Sequence, residues 1–295
     1  VLPGRREEAM ENVMKFRKAV IIGVGLIGGS VGKALLERGI CVNVEGVFRS
    51  ERSLEKALRE KAVTGGSVRE YGSAIADADI VIIATPVSAI SDVLERISAC
   101  DHSPSLLVTD AGSTKQNIVA RAASVAPRVP FVGSHPLAGS EKAGVEYSSP
   151  ELFEGAVCVV TPGESTAPDR VDRISGFWRS LGARVVRMSP EEHDRAIAFS
   201  SHLPHAAACA LVASLPEGFP PDMLSSGFRD TTRIAGADGD LWKDIFLSNR
   251  ANVLEAIDRY KEAMVKVRNA IHSGDAAVLK ELLNRIKKER DDLFR

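Results

Sequence analysis

Ala19-Val-Ile-Ile-Gly-Val-Gly-Leu-Ile-Gly-Gly-Ser30 decides the fold of this 295-residue chain, because a short apolar run stops at Gly23-x-Gly25-x-x-Gly28 and a helical pattern follows at once. The spacing is that of a strand–turn–helix that holds a dinucleotide. The first glycine permits the tight turn, the second lets the backbone approach a pyrophosphate, and the third lets helix and strand pack closely. Lys18 to Ile22 reads as the buried strand and Leu26 to Glu37 as the helix, which is the context the motif needs. Gly23, Gly25, Leu26, Ile27 and Gly28 are therefore expected to line the cofactor.

A carboxylate for the adenosine ribose belongs about 20 residues further on, at the end of the second strand. Val42 to Phe48 is that strand, and Arg49-Ser50-Glu51-Arg52 follows it. Arg49, Ser50 and Arg52 suit a 2′-phosphate, which an aspartate would repel. NADP is thus expected over NAD.

Apolar runs alternate with helical patterns as far as Met188. Ile80 to Ala84, Leu106 to Thr109, Phe131 to Ser134, Val157 to Val160 and Arg184 to Arg187 read as strands. Val87 to Ser98, Gln116 to Ala126 and Pro168 to Leu181 read as helices. From Pro190 the pattern is helical, over Glu191 to Leu215, Leu241 to Val267 and Asp275 to Asp292. This predicts an α/β Rossmann-type doubly wound sheet over residues 16–188, then an all-helical domain over 189–295. Long helices with shallow cores bury surplus apolar faces against a twin, so a homodimer through the helical domain is expected.

A net charge of −1 gives no electrostatic case for nucleic acid or an anionic membrane. No apolar run approaches the roughly 18 residues of a span. The polar start Gly4-Arg-Arg-Glu-Glu8 is not a signal peptide, so the cytoplasm is expected, with residues before about Lys15 as a loosely packed extension. Cys41, Cys100, Cys158 and Cys209 have no metal-ligand spacing and read as small buried hydrophobes in a reducing compartment.

Open parallel sheets bind ligands at the carboxyl ends of their strands. There the chain carries Thr85-Pro86, expected along the dinucleotide; Asp110-Ala-Gly-Ser113-Thr-Lys115; and Gly133-Ser-His135-Pro136. His135 is read in the loop after its strand, between residues that permit close approach to a ligand.

Gly23-x-Gly-Leu-Ile-Gly-Gly-Ser30, Asp110-x-Gly-Ser-x-Lys115, Gly133-Ser-His-Pro-x-Ala-Gly-Ser-Glu141, Ser201-His-Leu-Pro-His205 and Trp242-x-x-Ile-Phe246 occur in this order. Together they resemble the prephenate/arogenate dehydrogenase family of tyrosine biosynthesis, over about Lys18 to Leu282. The resemblance implies a small-molecule substrate, prephenate or arogenate, oxidised and decarboxylated with hydride passed to NADP or NAD. It implies that His135 polarises the substrate hydroxyl and takes its proton, with Ser113 hydrogen-bonding His135 or that hydroxyl. Asp110 joins the cofactor-binding set, and Lys115 either helps bind the dinucleotide or caps its loop. His205 contacts substrate, and Arg233 binds the side-chain carboxylate. Glu141 and Asp230 stand at the pocket mouth as a gate, a cation holder or a surface ion pair. Arg250 serves either substrate or the subunit contact. The chain ends where its helical pattern ends, so no carboxy-terminal regulatory domain is expected, and tyrosine inhibition would act at the active site.

The same layout suits a 3-hydroxyacid dehydrogenase or an imine reductase. Those enzymes place a catalytic Lys or Asp in the first long helix of the second domain, where this chain has His202 and His205. A non-catalytic NADP sensor would need neither His135 nor Arg233.

Overall fold

The computed structural model describes residues 14–139 and 142–294. The expected extension before Lys15 and the candidate Glu141 lie, respectively, largely and wholly outside the described residues. In chain order the elements are β1 (Phe16–Ile22), α1 (Leu26–Glu37), β2 (Cys41–Phe48), α2 (Glu51–Arg59), β3 (Gly65–Val68), α3 (Gly72–Ile75), β4 (Ile80–Ile83), α4 (Val87–Ser98), β5 (Leu107–Asp110), α5 (Gln116–Val125), β6 (Phe131–Pro136), β7 (Val157–Thr161), α6 (Pro168–Ser180) and β8 (Arg184–Arg187). Helices follow: α7 (Pro190–Ile197), α8 (Leu203–Ala213), α9 (Ser226–Thr232), α10 (Gly239–Ser248), α11 (Arg250–Ser273) and α12 (Ala276–Leu293).

The strands form one sheet in the order β3-β2-β1-β4-β5-β6-β7-β8. Every neighbouring pair is parallel except β6 with β7. Alternate residues of β1 serve opposite faces, as the pleat requires. Ala19 and Ile21 join a core with α1 and α6 that contains Phe177 and Trp178. Val20 and Ile22 join a second core with α3, α4 and α5 that contains Ile90 and Leu94. A sheet covered on both faces explains why these strands read as unbroken apolar runs.

Gly23 has φ +95°, and a Cβ there would sit 2.6 Å from the Ala84 carbonyl oxygen. At Gly28 a Cβ would sit 2.2 Å from the Gly23 carbonyl oxygen. Both contacts are with backbone, so neither position accepts a side chain without moving the turn.

Three segments differ from their sequence-based reading. β6 continues through His135 and Pro136, because its second half pairs antiparallel with β7, His135 opposite Val159. His135 therefore stands on a strand and not in a loop. The helix read over Glu191 to Leu215 contains a π turn, Ala198–His202, between α7 and α8. Pro204 follows directly; it lacks an N–H and crowds the carbonyl four residues back, which widens the helix there. The helix read over Leu241 to Val267 breaks at Asn249, which closes α10 and opens α11.

The continuous helical stretch Pro190–Ala213 is long and apolar enough by composition to cross a bilayer, with a mean hydropathy of 1.4 over its best window. That corrects the expectation that nothing approaches a span. Its His193, Asp194, His202 and His205 are nonetheless buried in the protein's own interior. Cys41 and Cys158 are buried as expected, whereas Cys100 is half-buried and Cys209 is exposed.

Candidate active site

The dinucleotide end of the site is built by the turns after β1 and β4. Helix α1 begins at Gly25 with no side-chain cap and no acidic residue in its first turn, so its free N–H groups and dipole favour an anion. A Cβ at Gly25 would meet nothing within 4 Å, which leaves open space beside those amides. The buried Thr85 hydroxyl has no hydrogen-bond partner among the described residues. Buried hydroxyls are ordinarily satisfied, so this orphan is a position for a ligand atom. Beside it Pro86 opens α4. These residues fit a nicotinamide dinucleotide.

Arg49 and Arg52 are exposed at the end of β2. The Ser50 hydroxyl caps α2 by accepting from the Ser53 amide at 3.3 Å, a structural duty not foreseen for it. A third cation enters from the end of β3: Arg69, in the left-handed region at φ 56°, donates its Nε–H to the Arg49 carbonyl at 3.4 Å. Arg69 was missed because it lies 20 residues from Arg49 in sequence and only the β2–β3 pairing joins them.

Asp110 does not present its carboxylate to the cofactor; the side chain is fully enclosed. It accepts from the Gly112 amide at 2.8 Å, the Ser134 amide at 3.0 Å, and Lys115 Nζ. Lys115 is equally enclosed and also donates to the Ser134 carbonyl at 2.9 Å. Its ammonium ties the two ends of the Asp110–Lys115 loop together and is not exposed. Burial lowers its pKa, and the Asp110 charge opposes that shift. A buried pair whose carboxylate also accepts two backbone amides, and whose ammonium also donates to a carbonyl, is the arrangement that offsets desolvation. Its effect is to lock β5 to β6 immediately before His135. From the other side Trp178 Nε1–H donates to the Ser134 hydroxyl at 2.8 Å, so the aromatic core braces the same residue.

His135 is half-buried. Its Nδ1 lies 2.8 Å from His193 Nε2, and His193 Nδ1 lies 2.7 Å from Asp194 Oδ1. Asp194 also accepts from the Lys115 amide at 2.7 Å and the Gln116 amide at 3.0 Å, capping α5 from α7. Burial pushes the His135 pKa well below the usual imidazole value, and positive charge on His193, Lys115 or His202 would push it further. The ring is thus a neutral base at neutral pH. Ser113 is half-buried in the loop before α5 and makes no hydrogen bond to His135, whose Nδ1 is already engaged.

In the helical half, the His205 ring stacks on Trp242 with centroids 3.5 Å apart and planes 8° from parallel. Its buried Nδ1 has no partner among the described residues, and burial lowers its pKa. The flanking His202 is pushed down to about 4 by burial, Asp194 opposing. Asn249 places an amide N–H 3.2 Å from His202 Nδ1 and donates to the Asp194 carbonyl at 2.7 Å. Asn249, His193 and Asp194 were not legible as site residues, since an isolated Asn and a His-Asp pair inside a helical pattern carry no spacing signal. Arg229, Asp230, Arg233 and Arg250 are all exposed. Chemically, the site offers an anion-binding turn, an unpartnered hydroxyl, a neutral base, and an imidazole stacked on an indole.

The chain matches two family models: "Prephenate dehydrogenase, nucleotide-binding domain" over residues 31–187 and "Prephenate dehydrogenase, dimerization domain" over residues 189–285. The prephenate dehydrogenase of Bacillus subtilis is 36% identical over 280 residues, covering 93% of this chain and 75% of that protein. A crystal structure of the A. aeolicus prephenate dehydrogenase with hydroxyphenyl propionate and NAD+ superposes with a TM-score of 0.87 at 32% identity, covering 96% of this chain and 100% of that one. The arogenate dehydrogenase of Synechocystis gives a TM-score of 0.80 at 30% identity, covering 94% and 99%.

Proposed function

The chain belongs to the prephenate dehydrogenase family, and from that premise we propose that it converts prephenate to 4-hydroxyphenylpyruvate with hydride transfer to a nicotinamide dinucleotide. The observation that carries this reading is the neutral, strand-mounted His135 held at the carboxyl end of the sheet.

Prephenate is a cyclohexadienol with a ring carboxylate, a pyruvyl side chain, and a hydroxyl on the carbon opposite that carboxylate. A bound nicotinamide supplies the hydride acceptor. His135 takes the hydroxyl proton as the C–H electron pair departs, and Ser113 orients the hydroxyl. Loss of carbon dioxide from the opposite carbon then returns an electron pair to the ring and leaves it aromatic. His205 and Trp242 form a wall on the helical side, with the His205 Nδ1 available to a substrate oxygen. Arg233 binds the side-chain carboxylate through its planar fork. Tight neutralisation of the ring carboxylate would oppose its departure as carbon dioxide, which is why the side chain is the better match.

The anion-binding set Arg49, Arg52 and Arg69 supports NADP. The resemblance assigns Asp230 to the pocket mouth, and Arg250, at the start of α11, serves the substrate or the subunit contact. The homodimer buries the helical apolar faces that one chain leaves exposed, among them Leu254, Met264, Ile271, Leu283 and Ile286. Arogenate, with an amino group in place of the side-chain ketone, is the second reading, favoured by the likeness to the Synechocystis arogenate dehydrogenase.

The test mixes the protein with prephenate or arogenate, each with NADP or NAD, and follows reduced-nicotinamide absorbance. The fastest pair is expected to be prephenate with NADP. Silence in all four, from folded protein that binds a dinucleotide, overturns the proposal.

A further inference from the structure

We infer that His193 and Asp194 are positioning residues that set the tautomer of His135, so that its Nε2 faces the cleft as the proton acceptor. The function assigned to that nitrogen rests on the proposed reaction; the tautomer itself does not. Asp194 Oδ1 already accepts the Lys115 amide and its Oδ2 the Gln116 amide, both at the N-terminus of α5, where the helix dipole favours an acceptor. Every neighbour of the carboxylate is therefore a donor, and the His193 nitrogen 2.7 Å from Oδ1 must be Nδ1–H. A neutral imidazole with its proton on Nδ1 carries its lone pair on Nε2. His193 Nε2 is 2.8 Å from His135 Nδ1, so that contact is a hydrogen bond only if His135 donates. His135 then holds its proton on Nδ1, and the lone pair on Nε2 is left for the substrate hydroxyl.

The chain resembles a nucleophile-activating triad in logic, with a buried carboxylate fixing an imidazole's tautomer, but a second imidazole is inserted between carboxylate and base. The inserted ring has a physical use. It moves the carboxylate away from His135, so the anion does little to raise the base's pKa, while the tautomer is still dictated. The charged and titratable groups around His135 are His193 and Asp194 from α7, Lys115 and Asp110 from the β5–α5 segment, and His202 from the π turn. Burial and the Lys115 charge both oppose protonation of His135, which agrees with a base that works in its neutral form.

The test is a 15N–1H correlation spectrum of the full-length protein carrying 15N-labelled histidine, with His135 assigned from the His135→Asn spectrum, read beside steady-state kinetics. The expected result is a wild-type His135 protonated on Nδ1. His193→Gln can accept from His135 through its amide oxygen and donate to Asp194 through its amide nitrogen. It should keep that tautomer and remain within about tenfold of wild-type kcat. His193→Leu should release the tautomer and lower kcat by ~10²–10³ with KM nearly unchanged, since only the general base is impaired. Asp194→Asn can present an amide N–H to His193 and invert the relay; a shift of His135 to Nε2–H with loss of kcat is expected there. A wild-type His135 protonated on Nε2 overturns the inference. So do equal losses in the Gln and Leu variants with an unchanged tautomer. If no substrate turns over, the proposed reaction fails while the spectra still decide the relay.

Discussion

The surroundings of His135 and the segment around α9 are both assigned to the same proposed reaction, yet one is enclosed and the other is exposed. Around His135, the residues Lys115, Ser134, His193 and Asp194 are at most 1% exposed, and hydrogen bonds cross between β5, β6, α5 and α7. In α9 no residue is buried, and its Arg229 and Asp230, like Arg233 directly after it, are exposed. Proton transfer needs a base fixed in place before substrate arrives, because reorganising dipoles during the reaction raises the barrier. Carboxylate capture needs a reachable cation that tightens on binding. The first region has the enclosure that a fixed base needs, and the second has the exposure that the proposed capture needs.

The largest effect should come from the rigid region. His135→Asn is expected to lower kcat by ~10²–10⁴, the usual worth of general base catalysis, and to leave KM nearly intact. An unperturbed imidazole would put the acid limb of the rate near 6.5. Burial lowers the His135 value, so the limb should lie well below that and vanish in the variant. A rise in KM with kcat preserved would break the comparison by making His135 a binder.

Arg233→Gln should act on the other side of the divide, raising KM for substrate by about 10–100-fold with a smaller change in kcat, as expected for losing a charge-assisted bidentate contact. If both constants stay put, the receiving region lies elsewhere, and Arg229 or Arg250 becomes the test.

A third contrast is in stability. His202 is buried beside Asn249 and held to about 4, below its unfolded value near 6.5. A depressed histidine pKa means that the unfolded chain binds the proton first, so its contribution is complete above pH 6.5 and lost as pH falls toward 4. By pH 5 the loss should be about 2 kcal/mol. Denaturant melts at pH 7 and 5 check this, with the difference shrinking in His202→Gln. The exposed Arg229 and Arg233, changed singly, should leave it untouched. An unchanged pH difference in His202→Gln would mean that His202 is accessible in the folded state.

How much of this was legible follows the same division. The apolar runs and glycine spacing around Gly23 named the sheet and its first turn, because buried parallel strands and tight turns leave short-range patterns. His135 was legible from its bracketing glycine and proline, but its place on a strand was not, since pairing with β7 depends on residues more than 20 positions away. The burial of the Asp110 carboxylate was not legible, because a carboxylate at a strand end looks the same in sequence whether it faces a ligand or a buried lysine. The relay through His193 and Asp194 was invisible for a related reason: it needs α7 laid across the start of α5, a contact spanning 79 residues.

The β2 end offers the smallest effect and a sharper form of the comparison. Like α9 it presents exposed cations, but the cations come from two strands that the sheet has brought together. Arg49→Asp should shift the ratio of kcat/KM for NADP over NAD by about tenfold or more toward NAD, since a carboxylate there repels a 2′-phosphate and suits a ribose hydroxyl pair. Arg69→Ala isolates the contribution that only the fold supplies. If Arg49→Asp leaves the ratio unchanged while Arg69→Ala moves it, the phosphate is held from β3. The receiving surfaces would then be set by tertiary assembly even where a sequence motif points to them.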